Sequence, residues 1–306
     1  MSTQTSMERA RTDSAREAAP RLIDGIYHQP PLHWVGDGFR VAGYFHAIPD
    51  AAKKLSPFVL MDYHPEYKYP PSERPRGVGV HPHRGFETVT WAWQGSVAHH
   101  DSAGGGGVIG PGDAQWMTAA SGVLHKEYHE EGWSRRGGPF QMVQLWVNLP
   151  KADKMGPPGY QAIESKDMGV VTLPEGAGTV RILAGEYGGV RGPAKTFTPI
   201  DVFDVALAAN GRTSFDFPAR RNLAVLVMKG TVSLNGQRAN LHDFVVFQNV
   251  GDRLDIVASE DAQLLVLSGE PIDEPVVQYG PFVMNTMAEI QQAMVDVRSG
   301  KFGYLD

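Results

Sequence analysis

Two short alternating pairs in this chain carry residue types able to bind a metal: His81-Pro82-His83 and His125-Lys126-Glu127. Successive side chains on a β-strand point to opposite faces, so the two members of each pair share a face. Two such strands lying side by side would aim three imidazoles and a carboxylate at one point. That is the donor set of a mononuclear metal site, and rigid strands hold ligands in place better than loops do. A lone His-x-His is also what two exposed histidines flanking a proline would look like. The second alternating pair, further along in a β-rich frame, makes a metal site the better reading.

Other candidates compete for roles. The chain has no cysteine, so no thiolate ligand or disulfide framework exists and a metal would rest on nitrogen and oxygen. His99 and His100 precede a glycine-rich stretch, His129 lies just past Glu127, and His242 sits in the second half of the chain. All four fall outside the paired arrangement and read as solvated or structural. Glu87 is a competing carboxylate. Parity lets it face the same way as His83 unless Arg84-Gly85 insert a bulge.

The elements that must position these groups are strands. The 35 Gly and 22 Pro suit an all-β chain with many turns. Arg40–His46 and Pro57–Tyr63 read as strands, His64–Arg76, with its prolines, as a loop, and Glu87–Trp93 as an alternating strand ending at Gly95. Gly104–Gly107 reads as a hairpin loop and a candidate lid. It lacks the Gly-Lys-Ser/Thr ending and the following helix that a phosphate loop needs. Gln141–Leu149 is a further strand, and Lys151–Gln161 a Pro/Gly-rich connector. From about Asp201 a second series of short, evenly spaced strands follows, with turns at Asn210-Gly211, Lys229-Gly230 and Asn235-Gly236, the pattern of a sandwich or barrel.

The two β-rich regions look like copies. Gly95-Ser96-Val97 followed by Pro111-Gly112-Asp113 matches Gly230-Thr231-Val232 followed by Leu241-His242-Asp243. The second copy lacks the ligands, with Asp216–Arg220 and Leu254-Asp255-Ile256 where the two pairs would fall. One metal per chain is therefore expected. We expect a tail at 1-20, an N-terminal metal-binding barrel at 21-160, and a C-terminal barrel without ligands at 161-306. The chain closes on a helix with a Thr286-Met287-Ala288-Glu289 capping box, an Ile290, Met294, Val297 stripe and Gly300 as its stop.

Composition narrows the function. A formal net charge of -6 with 20% charged residues offers no basic face for nucleic acid. No apolar run approaches a membrane span. Residues 1-20 lack the apolar segment of a secretory signal. Arg9, Arg11 and Arg16 hint at a transit peptide, but Glu8, Asp13 and Glu17 oppose it. A cytoplasmic monomer is the expectation.

Several longer motifs carry a family resemblance. His81-Pro82-His83-Arg84-Gly85-Phe86-Glu87-Thr88-Val89, Gln115-Trp116-Met117-Thr118-Ala119, Gly122-Val123-Leu124-His125, Gln144–Pro150 and Gly280–Thr286 closely resemble the pirin family of bicupins. The likeness runs roughly from Arg21 to Gly303. It implies two stacked antiparallel, jelly-roll-type β-barrels with a C-terminal helix, and one metal, usually iron, in the first barrel. The family's ligand set falls on His81, His83, His125 and Glu127, leaving Glu87 as a hydrogen-bonding neighbour. This chain has Ala119-Ala120-Ser121-Gly122 where the family often has Ala-Gly-x-Gly, an added Cβ beside the His125 strand.

Three imidazoles and a carboxylate leave open positions on an octahedral ion. That suits Fe(II), with Mn, Co, Ni, Cu or Zn also compatible. Some pirins resemble quercetin 2,3-dioxygenases, which cleave a flavonol with O2 and release carbon monoxide, and that class is expected here. Glu127 (or Glu87) would take the substrate's hydroxyl proton. Trp91, Trp93, Trp116, Phe58, Met61 and Met142 are candidates for a flavonoid-sized pocket, although most read equally as core. The alternative is a non-enzymatic, redox-responsive iron protein that binds a transcription factor or metabolic enzyme. A Zn or Mn isomerase or hydrolase is a third reading.

Overall fold

The computed structural model describes residues 18–306. Each half of the chain folds around a seven-stranded and a four-stranded antiparallel sheet. In the first half, the large sheet runs in space Gly159–Ile163, Ala114–Thr118, Phe86–Gln94, Gly138–Asn148, Phe58–Tyr69, Phe39–Gly43, His33–Val35. The small sheet runs Gly77–His83, Val123–His129, Val97–Asp101, Gly106–Ile109. The second half repeats the plan, its small sheet opening with Arg212–Asp216 beside Arg253–Ala258. The fold is a bicupin, as the resemblance implied.

Hydrogen bonding repeats along with the strands. In the first barrel Asp113 Oδ2 accepts from the Gly110 amide at 2.9 Å, and in the second Asp243 Oδ2 accepts from the Asn240 amide at 2.8 Å. The residue before each aspartate has a positive φ, +91° at Gly112 and +66° at His242. Each turn then feeds a buried strand, Ala114–Thr118 or Phe244–Phe247. The interiors differ. Phe203, Phe215, Leu254 and Ile256 fill the second barrel with an apolar cluster.

The large sheet of the first barrel is buried on both faces. Val89, Trp91, Trp116 and Leu145 pack outward, in one core with Val202, Leu226, Phe244 and Leu265 of the second barrel. Burying each such large apolar side chain contributes about 1.5–3 kcal/mol, so this shared face holds the barrels together. The alternate residues Thr90, Gln115 and Gln144 point inward and meet Glu127 from the small sheet. Most of the apolar stripe that reads as a pocket lining is thus the seam between barrels, and inside the first barrel a polar patch around Glu127 adjoins an apolar cluster of Phe39, Ala92, Val97, Phe140 and Met142.

One local expectation is corrected. The segment from His64 was expected to be loop, but the Phe58–Tyr69 strand runs through Pro65. The pairing shifts opposite Gln141, where a bulge accommodates the missing proline N–H.

Two segments cross between the halves. Ile23–Tyr27 joins the large sheet of the second barrel beside Phe244–Phe247. Residues 18 to 20 are held there too, with the Ala19 amide bonded to Asp252 Oδ1 at 2.7 Å; the rest of the expected 1-20 tail lies outside the described residues. In return, the C-terminal arm, with the hairpin Val277–Tyr279/Phe282–Met284 and the helix Met287–Arg298, packs onto the first barrel. Phe282, Met284, Ile290 and Phe302 form a cluster there that also takes in Leu124. The capping box is present, with Thr286 and Glu289 bonding each other's backbone amides. The strand Gly159–Ile163, which straddles residue 160, pairs within the first barrel.

Candidate metal centre

Gly77–His83 is an edge strand, which is why Pro82 is tolerated between the two histidines. Its partner Val123–His129 buries alternate residues, so Val123, His125, Glu127 and His129 face inward. His81 lies directly opposite His125, and His83 opposite Val123. The register slips between His125 and Glu127, placing Glu127 opposite Val78.

The outcome is two overlapping triads. Donor atoms of His81, His83 and His125 lie within 4.8 Å of one another, and those of His99, His125 and Glu127 form a second such group. His125 belongs to both. The four expected residues are therefore gathered around His125, with Glu127 closer to His99 than the pairing of motifs implied. Among the described residues these are the two groups able to hold a metal.

Each histidine of the first triad has its Nδ1 engaged. His81 Nδ1 lies 2.8 Å from the Gly79 carbonyl, His83 Nδ1 3.2 Å from the Pro281 carbonyl, and His125 Nδ1 3.4 Å from His99 Nδ1. Anchoring one ring nitrogen fixes the orientation of the ring and leaves the other for a metal. His125 Nε2 is buried with no hydrogen-bond partner. Burial, with neighbouring His81 and His99, drives His83 down to about 3, partly offset by the Pro281 carbonyl. Burial and His83, His81 and His99 hold His125 well below its usual value. Both imidazoles are neutral near pH 7, the form that ligates. The donor set fits a divalent metal.

Glu127 is oriented by three donors. Thr90 Oγ1 at 3.0 Å and Gln115 Nε2 at 2.5 Å donate to Oε1, and Gln144 Nε2 at 2.7 Å donates to Oε2. Glu87, the competing carboxylate, lies on the other face of its strand. It pairs across from Thr118, whose hydroxyl donates to Oε1 at 2.7 Å, and its Oε2 has no partner. The break falls at Gly85, where φ is +88° and a Cβ would lie 2.0 Å from the Val283 carbonyl.

The aromatic surroundings differ from those expected. Trp91, Trp116, Phe58 and Met61, with Trp93 against them, belong to the core between barrels, and Met142 to a separate cluster with Phe39, Phe140 and Trp133. The rings that meet the histidines are Phe86 and Trp146, edge-on to His83 at 5.0 and 5.1 Å, and Tyr160, stacked on His99 at 5.0 Å. His99 was set aside as structural, yet it is buried at the centre. Its signal was the alternation His99, Asp101 on the strand before the glycine run. The glycine run forms a hairpin tied down by Asp101, whose Oδ1 accepts the Ala103 and Gly105 amides.

The arm closes the site from outside. Arg84, next to His83, bonds Asp296 at 2.9 Å and the Ser121 carbonyl at 2.6 Å. Lys154 Nζ, buried, reaches the Gly85 and Val283 carbonyls at 2.6 and 2.9 Å and Asn148 Oδ1 at 2.5 Å. The Ala120 carbonyl receives the Gly85 amide at 2.9 Å, and Ala120 itself adopts φ +39°, where a Cβ costs about 1 kcal/mol. That is where the family often has glycine.

Comparison with known proteins agrees with this architecture. Residues 38–147 match the family described as Pirin, and residues 202–303 the Pirin C-terminal cupin domain. The chain is 50% identical over 282 residues to a Pseudomonas aeruginosa protein named "Putative quercetin 2,3-dioxygenase", an alignment covering 92% of this chain and 98% of that one. It is 37% identical over 259 residues to Pirin-1 of Arabidopsis thaliana, covering 82% and 85% of the two chains. A crystal structure of quercetin 2,3-dioxygenase from Acinetobacter baumannii aligns with a TM-score of 0.90 at 45% identity, covering 94% of this chain and 100% of that one. With both halves matched, the chain belongs to the pirin family, with an N-terminal and a C-terminal cupin domain.

Proposed function

We propose that this protein is a metal-dependent dioxygenase that cleaves a flavonol such as quercetin with O2, releasing carbon monoxide. The observation that carries the reading is the convergence of His81, His83 and His125, each anchored through Nδ1, beside a Glu127 oriented by Thr90, Gln115 and Gln144. The naming of the 50%-identical relative and of the Acinetobacter structure supports the substrate class.

His81, His83, His125 and Glu127 would hold the ion, and a nitrogen and oxygen donor set with open positions favours Fe(II) among Mn, Co, Ni, Cu and Zn. When bound, such a metal supplies a centre at which a substrate oxygen and O2 can be brought together. The chain's own residues do the rest. Phe86 and Trp146 form an aromatic wall beside His83. Glu127 takes the substrate's hydroxyl proton at Oε2, which has one donor where Oε1 has two.

The test is metal analysis with O2 uptake in the presence of quercetin. Wild type is expected to carry about one divalent metal per chain and to consume O2 with the flavonol, and His125→Ala to lose that consumption. Stoichiometric metal without uptake across a panel of flavonols would overturn the dioxygenase and favour the redox-responsive regulator.

A further inference from the structure

The strand Val97–Asp101 lies beside Val123–His129, with His99 opposite Glu127 and Asp101 opposite His125. His99 is 1% exposed. Its Nδ1 is 3.4 Å from His125 Nδ1, and its Nε2 is 3.5 Å from Asp101 Oδ2, just beyond hydrogen-bond geometry. Tyr160 stacks on the other side of the ring with an interplanar angle of 24°, and its hydroxyl reaches Gln115 Oε1 at 3.2 Å. The opposite oxygen of Asp101 is occupied by the Ala103 and Gly105 amides, so the carboxylate cannot swing away.

Two Nδ1 atoms facing each other make a bond only if one carries hydrogen and the other a lone pair. The neighbour of His99 Nε2 is a carboxylate oxygen, which favours a hydrogen there. A neutral His99 protonated at Nε2 offers its lone pair at Nδ1. His125 must then carry its hydrogen at Nδ1, and its Nε2, buried without a protein partner, is the free lone pair. For a His99 that carries one hydrogen, this arrangement is directional, running from Asp101 through His99 to His125.

We propose that Asp101 and His99 together set the tautomer and ring orientation of His125, making His99 a positioning residue for the metal centre rather than one of its ligands. This rests on the metal-site reading above. It extends the carboxylate–histidine–metal pattern by one imidazole, so that a carboxylate acts on the ligand through an intervening ring. The hairpin loop Ser102–Gly105 enters the same chain through Asp101.

The test uses the full chain, labelled with 15N-histidine and loaded with Zn(II) so that the site is diamagnetic. Long-range nitrogen–proton spectra should show His99 protonated at Nε2 and His125 at Nδ1, the latter slow to exchange. In His99→Gln, whose side-chain oxygen can still accept from His125, zinc affinity by chelator competition should stay within about 3-fold of wild type. In His99→Phe it should fall about 10–100-fold, the usual cost of losing such a partner, with the His125 Nδ1 proton exchanging quickly. His99→Leu, also without an acceptor, gives the same comparison should the phenylalanine variant fold poorly. A metal-bound His99 nitrogen, a His99 protonated at Nδ1, or unchanged zinc affinity in the acceptor-free variants would overturn the proposal while leaving the metal site intact. Failure of folded wild type to take up any divalent metal would overturn both.

Discussion

Glu87 illustrates how much one buried group can shift pH behaviour. It is 1% exposed on the seam between barrels, and burial raises it from 4.5 to about 7, with Thr118 and Trp116 drawing it back only partly. A raised carboxyl is protonated in the folded chain while the unfolded chain has already lost its proton. Its contribution to stability is therefore present below pH 4.5 and is lost as the pH rises through 7. Glu87→Gln removes this dependence. Comparing metal-free wild type and variant between pH 4.5 and 8, the variant should gain on the order of 3 kcal/mol in unfolding free energy. A constant difference across that range would show that Glu87 ionises normally. Parity left Glu87 undecided because sequence cannot show on which side of Arg84-Gly85 the strand turns over. The +88° at Gly85 and the Thr118 bond place it with Val89 and Trp91.

Single strands were readable from alternation, and so were the terminal helix and its cap. Period two alone placed His81 and His83 on one face of their strand, and His125 and Glu127 on one face of theirs. What alternation cannot supply is the neighbour across the sheet. His99 looked isolated because its partner, Glu127, is set by register between strands. Likewise, the face of Trp91 and Trp116 reads as apolar either way, and only the second barrel's presence makes it a seam. The same dependence on tertiary contacts governs the helix Met287–Arg298. Its Asp296 accepts from Lys301, Gln292 and Arg84, which hold it well below the carboxylate range against the effect of burial. Asp296→Asn leaves the guanidinium of Arg84, 4% exposed, without its counter-charge. Denaturant unfolding should show a loss of about 3–5 kcal/mol, with faster amide exchange through residues 277–306. A loss below about 1 kcal/mol would mean the pair acts like an exposed one.

At the scale of the whole chain, the halves trade segments: Ile23–Tyr27 goes to the second barrel, and the C-terminal arm to the first. The repeat of two barrels was legible from the Asp113 and Asp243 turns, but this exchange was not, since nothing local marks where a strand or helix will dock. Lys166, in the exposed turn Ser165–Asp167, lies past the last strand of the first barrel. Chains cut after it should fold only together. Co-expressed fragments 1–166 and 167–306 are expected to co-purify at one to one, with neither giving a cooperative melt alone. An N-terminal fragment that folds and binds metal with full affinity would show the arm to be dispensable. The Pro281 anchor has a consequence in time as well. The ribosome makes it 198 positions after His83, so the nascent first barrel emerges with one of its imidazoles unanchored. Metal loading is therefore expected to follow completion of translation, and chains ending before Pro281 are expected to purify with less bound metal than the full chain.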